Sequence, residues 1–323
     1  MSKLIALTPF RDEEHMLPIY FKNVIPIADE IILMNDNSSD KSLEVIDKFS
    51  KDNSGTKITV YHQEERDVTE PGWPEGNIRE KLFDIGRDHG ATHFLNLDAD
   101  ETFSTNFLQN GREKIEQLSP GQIMWFSWVH IFCSRNAVAK GQYSLWGDHG
   151  AFVQGVDDKK YNSSNDGSGM HTTRCSSSCE KDNPIYVPFD DGCMLHYQYL
   201  SITSFVIKQI WYMCSEIILR GPEYANQINS KYGHSLFNLS LLQNQDELLF
   251  IDEKFIEGIE LPSHSHYDPT WSREQLFKPK LYDITMGWFK KYGVEKFENL
   301  NIWFVPDYIE EFISQTGRKP GEE

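Results

Sequence analysis

Three acidic residues stand close together at the end of an apolar run in the first third of the chain. Residues 94–97 form the run, and Asp98, Ala99, Asp100 and Glu101 follow it. Carboxylates at alternate positions can reach one divalent ion, and their hard oxygens suit Mg²⁺ or Mn²⁺, which also bind phosphate oxygens. Because acidic loops are common after strands, the meaning of this spacing depends on the element that positions it.

Short apolar runs alternate with helical patterns over about the first hundred residues. The predicted strands cover residues 4–7, 30–34, 57–61 and 92–97, and the predicted helices include 13–24 and 77–88. Ser39 or Asp40 is predicted to cap a further helix after the second strand. This order implies right-handed crossovers and a doubly wound, mostly parallel sheet, whose loops at the carboxyl ends of the strands form a binding crevice.

A second polar loop follows the second predicted strand directly. Ser39 and Asp40 suffice for a turn and a helix cap, so Asp36 needs another explanation. Here the chain resembles the family 2 glycosyltransferases of GT-A fold, whose second strand typically ends in Asp-Asp-Gly-Ser-x-Asp. Asn35 replaces the first Asp of that motif. The resemblance implies a Rossmann-like, mixed α/β sheet flanked by helices.

The resemblance also implies roles for residues in four loops. Asp36 would hydrogen-bond the pyrimidine base of a UDP-type or related donor, and Arg79 would lie near the base and the diphosphate. Asp98 and Asp100 would hold Mn²⁺ or Mg²⁺. The loop after the first strand resembles the family's Pro-x-x-Asn-Glu-Glu loop, with Arg11 in place of the usual Asn. The residues expected at the donor are Thr8, Phe10, Arg11, Asp36, Arg79, Asp98 and Lys208.

The later part of the chain resembles the family more loosely. His196 is similar to a late histidine that supplies a further metal ligand in a subset of these enzymes, although a core histidine among aromatic residues is the alternative. Lys208 is similar to a lysine that approaches the phosphates. Inverting members use a carboxylate to deprotonate the acceptor, and Asp148 is the candidate, with Asp191 and Asp166 as alternatives. The tryptophans expected to border the acceptor cleft are Trp125, Trp128 and Trp146.

We expect two parts in the chain. A GT-A catalytic domain is predicted over residues 1–200, with a nucleotide-binding half at about 1–101 and an acceptor-side half at about 102–200. A mainly helical extension, 201–323, is predicted to pack on it. The polar segment 157–182 is long and irregular, which favours a mobile loop over the site.

Charge and cysteine content narrow the function classes. With 31 basic and 49 acidic residues, the net charge of −18 opposes binding to nucleic acid or to an anionic bilayer. The five cysteines and an N-terminus without a secretion signal predict free thiols in a cytoplasmic protein. No stretch approaches the roughly 18 apolar residues of a membrane span. The spacing of His171, Cys175 and Cys179 departs from structural zinc signatures.

Together these features predict a metal-dependent, inverting glycosyltransferase that moves a sugar from a nucleotide-diphosphate sugar to a hydroxyl of a glycan acceptor. Two alternatives stay open. A nucleotidyltransferase also pairs acids with a metal on an α/β sheet, but it would usually bring a Gly-rich first loop, and residues 8–14 contain no glycine. A non-catalytic carbohydrate-binding protein of the same fold would account for the missing obvious base.

Overall fold

The chain divides into two compact units. The computed structural model describes residues 2–132, 137–139, 149–162, 170–176, 180–241, 248–262, 273 and 276–322. The first unit comprises Met1–Arg66, Trp73–Gln198 and Leu249–Ser265. The second comprises Asp67–Gly72, Tyr199–Leu248 and His266–Glu323.

Strands and helices alternate in the first hundred residues and again later. The described strands are β1 (Leu4–Phe10), β2 (Glu30–Asn35), β3 (Lys57–His62), β4 (His93–Asn96), β5 (Glu101–Phe103), β6 (Gln122–Phe132), β7 (Ala137–Ala139), β8 (His149–Gly155), β9 (Glu180–Tyr186), β10 (Met194–Tyr199) and β11 (Leu248–Phe250). The described α-helices are α1 (Leu17–Val24), α2 (Ser42–Asp52), α3 (Glu75–Asp88), α4 (Thr105–Leu108), α5 (Gly111–Ile115), α6 (Ile202–Arg220), α7 (Ala225–Leu241), α8 (Pro279–Tyr292) and α9 (Pro306–Thr316).

The central sheet brings several strand ends to one edge. Its strands lie in the order β6-β8-β4-β1-β2-β3, and β10 pairs with both β5 and β6. The pairs β4–β1, β1–β2 and β2–β3 are parallel, while β8 runs antiparallel to β4 and β6. Phe10 lies opposite Asn35, which lies opposite His62. The loops after these strands therefore leave the sheet side by side.

Both faces of the parallel strands are buried. Every residue of β1 is buried, because successive side chains point to opposite faces and each face is covered by helices. Leu4, Ala6 and Phe10 belong to the core cluster that includes residues of α1 and α2. Ile5 and Leu7 belong to the cluster on the other face, which includes residues of α3. Two cores thus hold the strands that carry the polar loops.

The predicted fold class is confirmed: the structure is a mixed α/β fold, with a mostly parallel sheet, flanking helices and a helical C-terminal region. Helix boundaries differ from their predictions: α1 begins at Leu17 and not at residue 13, and α3 begins at Glu75 and not at residue 77. Helix α2 begins at Ser42 with Lys41 at the N-cap position. Ser39 and Asp40 precede it, and Asp40 Oδ1 accepts a hydrogen bond from the backbone N of Ser42 at 2.9 Å. The backbone N–H groups of Ser39 and Asp40 instead bind Asp12, in the loop after β1.

Helices form most of the second unit. Ser201 caps α6 by accepting a hydrogen bond from the backbone N of Ser204, and α6 ends at Gly221, whose φ of 107° favours glycine. Trp211 of α6 stacks on Trp288 of α8 with ring centroids 5.9 Å apart. Stacked aromatic side chains thus contribute to the core of this unit.

Helix α6 qualifies the sequence-based expectation about membrane spans. By length and composition alone, this one helix among the described residues is apolar enough to cross a membrane, with a mean hydropathy of 1.2. Of the window that meets this criterion, 67% is buried inside the protein. It also carries Glu216, a fully buried carboxylate that accepts hydrogen bonds from Lys231, Tyr232 and Arg220. These are properties of a core helix in a folded unit.

The two units do not follow a single cut in the sequence. The predicted boundary at 200/201 lies close to the passage from the first unit to the second at Gln198 and Tyr199. However, residues 249–265 return to the first unit, and residues 67–72 belong to the second. Sequence patterns did not reveal either exchange, because both depend on contacts between distant parts of the chain.

Candidate active site

The loops after β1 and β2 are locked to each other by side chains. Asp12 Oδ1 accepts hydrogen bonds from the backbone N of Ser39 at 2.7 Å and of Asp40 at 3.3 Å. In return, Ser38 Oγ accepts from the backbone N of Asp12 at 3.0 Å. Asp12 and Asn37 adopt positive φ angles of 53° and 55°, which Asp and Asn tolerate better than most residues. This lock holds in place the backbone that follows Asp36.

Asp36 lies at the centre of a cluster of two arginines and one carboxylate. It is fully buried, and Arg66 binds both of its oxygens, with Nε to Oδ1 at 3.0 Å and Nη2 to Oδ2 at 2.7 Å. Arg11 Nη1 reaches Oδ2 at 3.4 Å, and the Arg11 guanidinium stands 4.8 Å from the ring centre of Trp73. A planar fork on a carboxylate is a strong, directional pairing.

A cavity of about 420 Å³ opens beside this cluster. It lies between the loop that follows β3 and the start of α3, and its size is in the range of small-molecule sites. Its lining is polar and of mixed charge. The lining residues are Asp36, Gln63, Glu64, Glu65, Arg66, Pro74, Asn77, Glu80, Lys81 and Asp84.

A second cluster lies after β4 and shares α3 with the first. Arg79 of α3 is almost fully buried and binds Asp98 Oδ1 at 2.5 Å and Glu75 Oε1 at 2.7 Å. Arg174 Nη2 binds Asp98 Oδ2 at 2.6 Å and Glu101 Oε1 at 2.6 Å. Helix α3 therefore joins the clusters, since Asn77 lines the cavity beside Asp36 while Arg79 reaches Asp98.

Burial and charge act in opposite directions on the acids of this second cluster. Burial alone would raise the pKa of Asp98, but Arg174 and Arg79 outweigh it and lower that pKa. For Glu101, which is fully buried, burial dominates and raises the pKa despite the contact with Arg174. Asp98 is thus the carboxylate held ionised by its neighbours, and Glu101 the one that binds a proton more readily.

Asp100 faces His196 of β10. The distance from His196 Nε2 to Asp100 Oδ2 is 3.5 Å, and both residues are largely buried. The other ring nitrogen of His196, Nδ1, lies 3.0 Å from Nδ1 of His130 on β6. Trp128 stacks on the His196 ring with centroids 4.9 Å apart and carries the Arg174 guanidinium 4.7 Å from its own ring centre. Trp128 therefore packs against His196, which faces Asp100, and against Arg174, which binds Asp98.

The acids of this region differ in how well they could bind a divalent metal. Within the described part of the chain, no group of three or more His, Cys, Asp or Glu residues has the geometry of a metal site. Both oxygens of Asp98 accept hydrogen bonds from arginines. Asp100 and His196 together offer a hard oxygen and an imidazole, a pair that suits Mn²⁺ completed by water and phosphate oxygens.

The structure gathers several predicted residues at one edge and places others elsewhere. Asp36 and Arg11 form one cluster, Arg79 and Asp98 lie in the other, and Asp100 faces His196, as described above. Two residues expected at the donor have core side chains: Thr8 is fully buried with its Oγ1 2.6 Å from the Tyr20 hydroxyl, and Phe10 is 1% exposed. Lys208 lies on α6 of the second unit.

The candidate bases are spread over different regions. Asp191 is exposed and pairs with Lys114 Nζ at 3.1 Å, in a short turn before β10. Asp148 and Asp166 lie outside the described residues, as does Trp146. Of the segment 157–182, the described part supplies Arg174 to the second cluster.

Three residues of the site escaped the sequence analysis. Arg66 and Arg174 lie in irregular segments, where no periodicity indicates which way a side chain points. His130 lies within an apolar strand that reads as core. A weak signal was available for the arginines, because buried acids such as Asp36 and Asp98 require cationic partners.

One family model matches the N-terminal part of the chain. Residues 6–70, from β1 through β3, match the family model described as Glycosyl transferase family 2. Among curated protein sequences, none matches the chain.

Two solved structures are similar to the chain at low identity. One is a mannosyltransferase from Pyrobaculum calidifontis in complex with GDP-Man and Mn²⁺, with 10% identity, a TM-score of 0.37 and coverage of 71% of this chain and 69% of that one. The other is GalNAc-T7 with UDP, GalNAc and Mn²⁺, with 16% identity, a TM-score of 0.30 and coverage of 54% of this chain and 30% of that one. The chain thus spans less than a third of the length of GalNAc-T7. From β1 through β3 the chain is therefore similar to the family 2 glycosyltransferases.

Proposed function

We propose that this protein transfers a sugar from a nucleotide-diphosphate sugar to a hydroxyl of a glycan acceptor, with a divalent metal and with inversion at the anomeric carbon. One observation carries the proposal: an arginine-rich cluster and an acid-rich cluster lie after parallel strands of one sheet and are joined by α3. The family match covers the first of these clusters, including Arg11, Asp36 and Arg66.

The first cluster and its cavity suit the nucleoside end of the donor. The cavity of about 420 Å³ has Asp36, Arg66 and Asn77 in its lining, which offer donors and acceptors for a base. We propose a pyrimidine base, as the resemblance implies, held by Asp36 with the guanidinium of Arg66. Lys208 stays a proposed ligand of the phosphates.

The second cluster suits the diphosphate and its counter-charge. Asp100 and His196 would hold Mn²⁺ or Mg²⁺, which when bound supplies positive charge to the departing diphosphate. The guanidinium groups of Arg79 and Arg174 donate hydrogen bonds to the two oxygens of Asp98 at 2.5 and 2.6 Å, and they add fixed positive charge close to Asp100. Such preorganised charge stabilises a leaving group more strongly than water does.

Deprotonation of the acceptor requires a carboxylate near the sugar. We propose Asp148 for this role, with Asp166 and Asp191 as the alternatives. Asp191 would have to leave Lys114, which it pairs with in the structure. Each of these acids is replaced by Asn in turn, and the variant of the true base is expected to lose transfer while it retains nucleotide binding. NMR of the anomeric configuration of the wild-type product tests inversion.

A thermal-shift panel tests the proposal directly. UDP, GDP, CDP and dTDP are added with and without Mn²⁺ to the wild type, Asp100→Asn and Asp47→Asn. A ligand at a hundred times its Kd stabilises the native state by about 2.7 kcal/mol. We expect one nucleotide to give a shift that Mn²⁺ enlarges, and Asp100→Asn to remove the part of the shift that depends on Mn²⁺. Asp47→Asn removes the same charge from an exposed position on α2 and is expected to behave as the wild type. No shift with any nucleotide would refute the proposal.

A second candidate function is carbohydrate binding without turnover. The observation in its favour is that both oxygens of Asp98, the first acid of the Asp-Ala-Asp motif, are engaged by arginines. Donor hydrolysis in the absence of acceptor separates the two functions. Metal-dependent release of a nucleoside diphosphate supports the transferase, whereas glycan binding without any such release supports the binding protein.

A further inference from the structure

A chain of polar contacts runs behind His196, away from Asp100. His196 Nδ1 lies 3.0 Å from His130 Nδ1, and Gln198 Nε2 lies 3.2 Å from the same His130 nitrogen. His196 Nε2, on the other side of its ring, faces Asp100 Oδ2 at 3.5 Å. His130 is 4% exposed and His196 5% exposed, so these contacts lie inside the protein.

The hydrogen positions follow from counting donors. The two Nδ1 atoms, 3.0 Å apart, share one hydrogen, since one of them must donate and the other accept. Gln198 Nε2, an amide nitrogen that only donates, also lies at His130 Nδ1, which favours His130 Nδ1 as the acceptor and the hydrogen on His196 Nδ1. His196 is then a donor at Nδ1, and its Nε2 is the nitrogen presented to Asp100.

The structure assigns His130 and Gln198 as positioning residues that set the tautomer and the ring orientation of His196. They direct its Nε2 lone pair to a divalent cation shared with Asp100. The inference rests on the proposed function in taking that cation as the metal of the transferase. Neither His130 nor Gln198 touches the cation, and both act through His196.

Packing supports the same orientation. The Trp128 ring stacks nearly parallel on the His196 ring, with an angle of 13° between planes. Trp128 and His130 are two residues apart on β6 and therefore point to the same face of the strand. One strand thus supplies both the surface against which the imidazole ring lies and the acceptor that fixes its hydrogen. Outer contacts of this kind typically change metal affinity by about 10–100-fold.

The first experiment measures Mn²⁺ affinity by electron paramagnetic resonance titration of the full chain. We expect His130→Leu to bind Mn²⁺ about 10–100-fold more weakly than the wild type, because His196 loses the acceptor that fixes its tautomer. His130→Asn retains an acceptor oxygen near the Nδ1 position and should recover most of the affinity. Gln198→Leu should give an intermediate loss.

A matched control comes from another buried histidine of the same sheet. His93 on β4 is 5% exposed, and its Nε2 lies 3.3 Å from the backbone oxygen of Leu118. His93→Leu should leave Mn²⁺ affinity within about twofold of the wild type, since surface and core changes away from a metal act mainly on folding. Equal losses in His93→Leu and His130→Leu would overturn the assignment by showing a general effect of a buried histidine.

The second experiment needs no metal. Long-range ¹H–¹⁵N NMR of metal-free wild type at pH 8 reports which nitrogen of His196 carries hydrogen. Hydrogen on Nδ1 in the wild type, and a mixture of tautomers in His130→Leu, support the assignment. Hydrogen on Nε2 alone in the wild type overturns it. If no variant binds Mn²⁺ while the NMR result holds, the metal proposal fails and the positioning of His196 stands.

Discussion

The two charged clusters at the edge of the sheet differ in their balance of charge. After β2, the single carboxylate of Asp36 has two arginine partners, Arg11 and Arg66. After β4, four acids, which are Glu75, Asp98, Asp100 and Glu101, accompany two arginines, Arg79 and Arg174. The first cluster has one guanidinium more than it has carboxylates. The second keeps an excess of acid, and we infer that it gains most from an added cation.

The largest effect is expected from removing a cation from the acid-rich cluster. Arg174→Ala leaves the fully buried Glu101 without its guanidinium partner, and it leaves the partly buried Asp98 with Arg79 alone. Breaking a buried pair from one side typically costs about 3–5 kcal/mol of unfolding free energy. Urea unfolding of the metal-free protein at pH 7 measures it.

A surface arginine supplies the comparison for Arg174. Arg112 pairs with Asp29 and Glu116, and its side chain is 37% exposed. Arg112→Ala is expected to cost less than about 1 kcal/mol because water screens both pairs. If Arg174→Ala lowered the free energy of unfolding no more than Arg112→Ala does, the acids after β4 would not depend on Arg174. That result would contradict the proposed difference between the two clusters.

A smaller effect is expected at the opposite end of β2, where Glu30 forms a cluster with no proposed ligand. Burial alone would raise the pKa of Glu30, but hydrogen bonds from Lys57, Lys3 and His89 outweigh it and lower that pKa to about 2. A lowered pKa stabilises the fold above the ordinary value near 4.5, and this stabilisation is lost as the pH falls from about 4.5 towards 2.

Glu30→Gln should therefore destabilise the protein by up to about 3 kcal/mol at pH 7, and the deficit should shrink between pH 4.5 and 2. Urea unfolding at several pH values measures this. Nucleotide and Mn²⁺ affinity should match the wild type. A loss of ligand affinity in Glu30→Gln would show that any buried ionic cluster on β2 affects binding, whichever end it occupies.

The arginine-rich cluster is expected to act without metal. Arg66→Gln removes the fork from Asp36 at the cavity. Nucleotide affinity should fall by about 10–30-fold, which corresponds to one strong charged hydrogen bond. Calorimetry should find the same factor with and without Mn²⁺, and Arg112→Gln should change nothing. A loss confined to the Mn²⁺ samples would contradict the division of roles between the clusters.

The smallest effect concerns Trp73. Its ring centre lies 4.8 Å from the Arg11 guanidinium, a contact typically worth about 0.5–1 kcal/mol at exposed sites. Trp73→Leu should weaken nucleotide binding by about two- to fivefold, and Trp73→Phe should restore part of it because the aromatic face returns. An equal loss in Phe and Leu would assign the effect to the shape of the indole.

The loops of the sheet were predictable because they depend on local patterns. The acids Asp36, Asp98 and Asp100 follow apolar runs, and parallel strands bring such positions to one edge. His196 was predicted only through the resemblance, and the structure places it opposite Asp100. These residues are positioned by regular elements whose periodicity is visible in the sequence.

The partners of those acids were not predictable in the same way. Arg174 is 73 residues from Glu101 along the chain, and His130 is 66 from His196. Such contacts depend on how irregular segments close over the sheet. The hydrogen-bond lock of Asp12 likewise stayed hidden, since an acid in a Thr-Pro-Phe-Arg-Asp loop reads as a ligand as easily as a backbone acceptor.

Residues 67–72 belong to the second unit, although the segments on both sides of them belong to the first. This segment leaves the first unit after Arg66, which binds Asp36, and returns at Trp73, whose ring lies beside Arg11. Within the second unit, the backbone oxygen of Thr69 accepts from Trp288 Nε1 at 2.6 Å, and Ser215 Oγ accepts from the backbone N of Gly72 at 2.7 Å. A chain cut after Gln198 would lack both Ser215 and Trp288, so residues 67–72 would lose these two partners even though they lie early in the sequence.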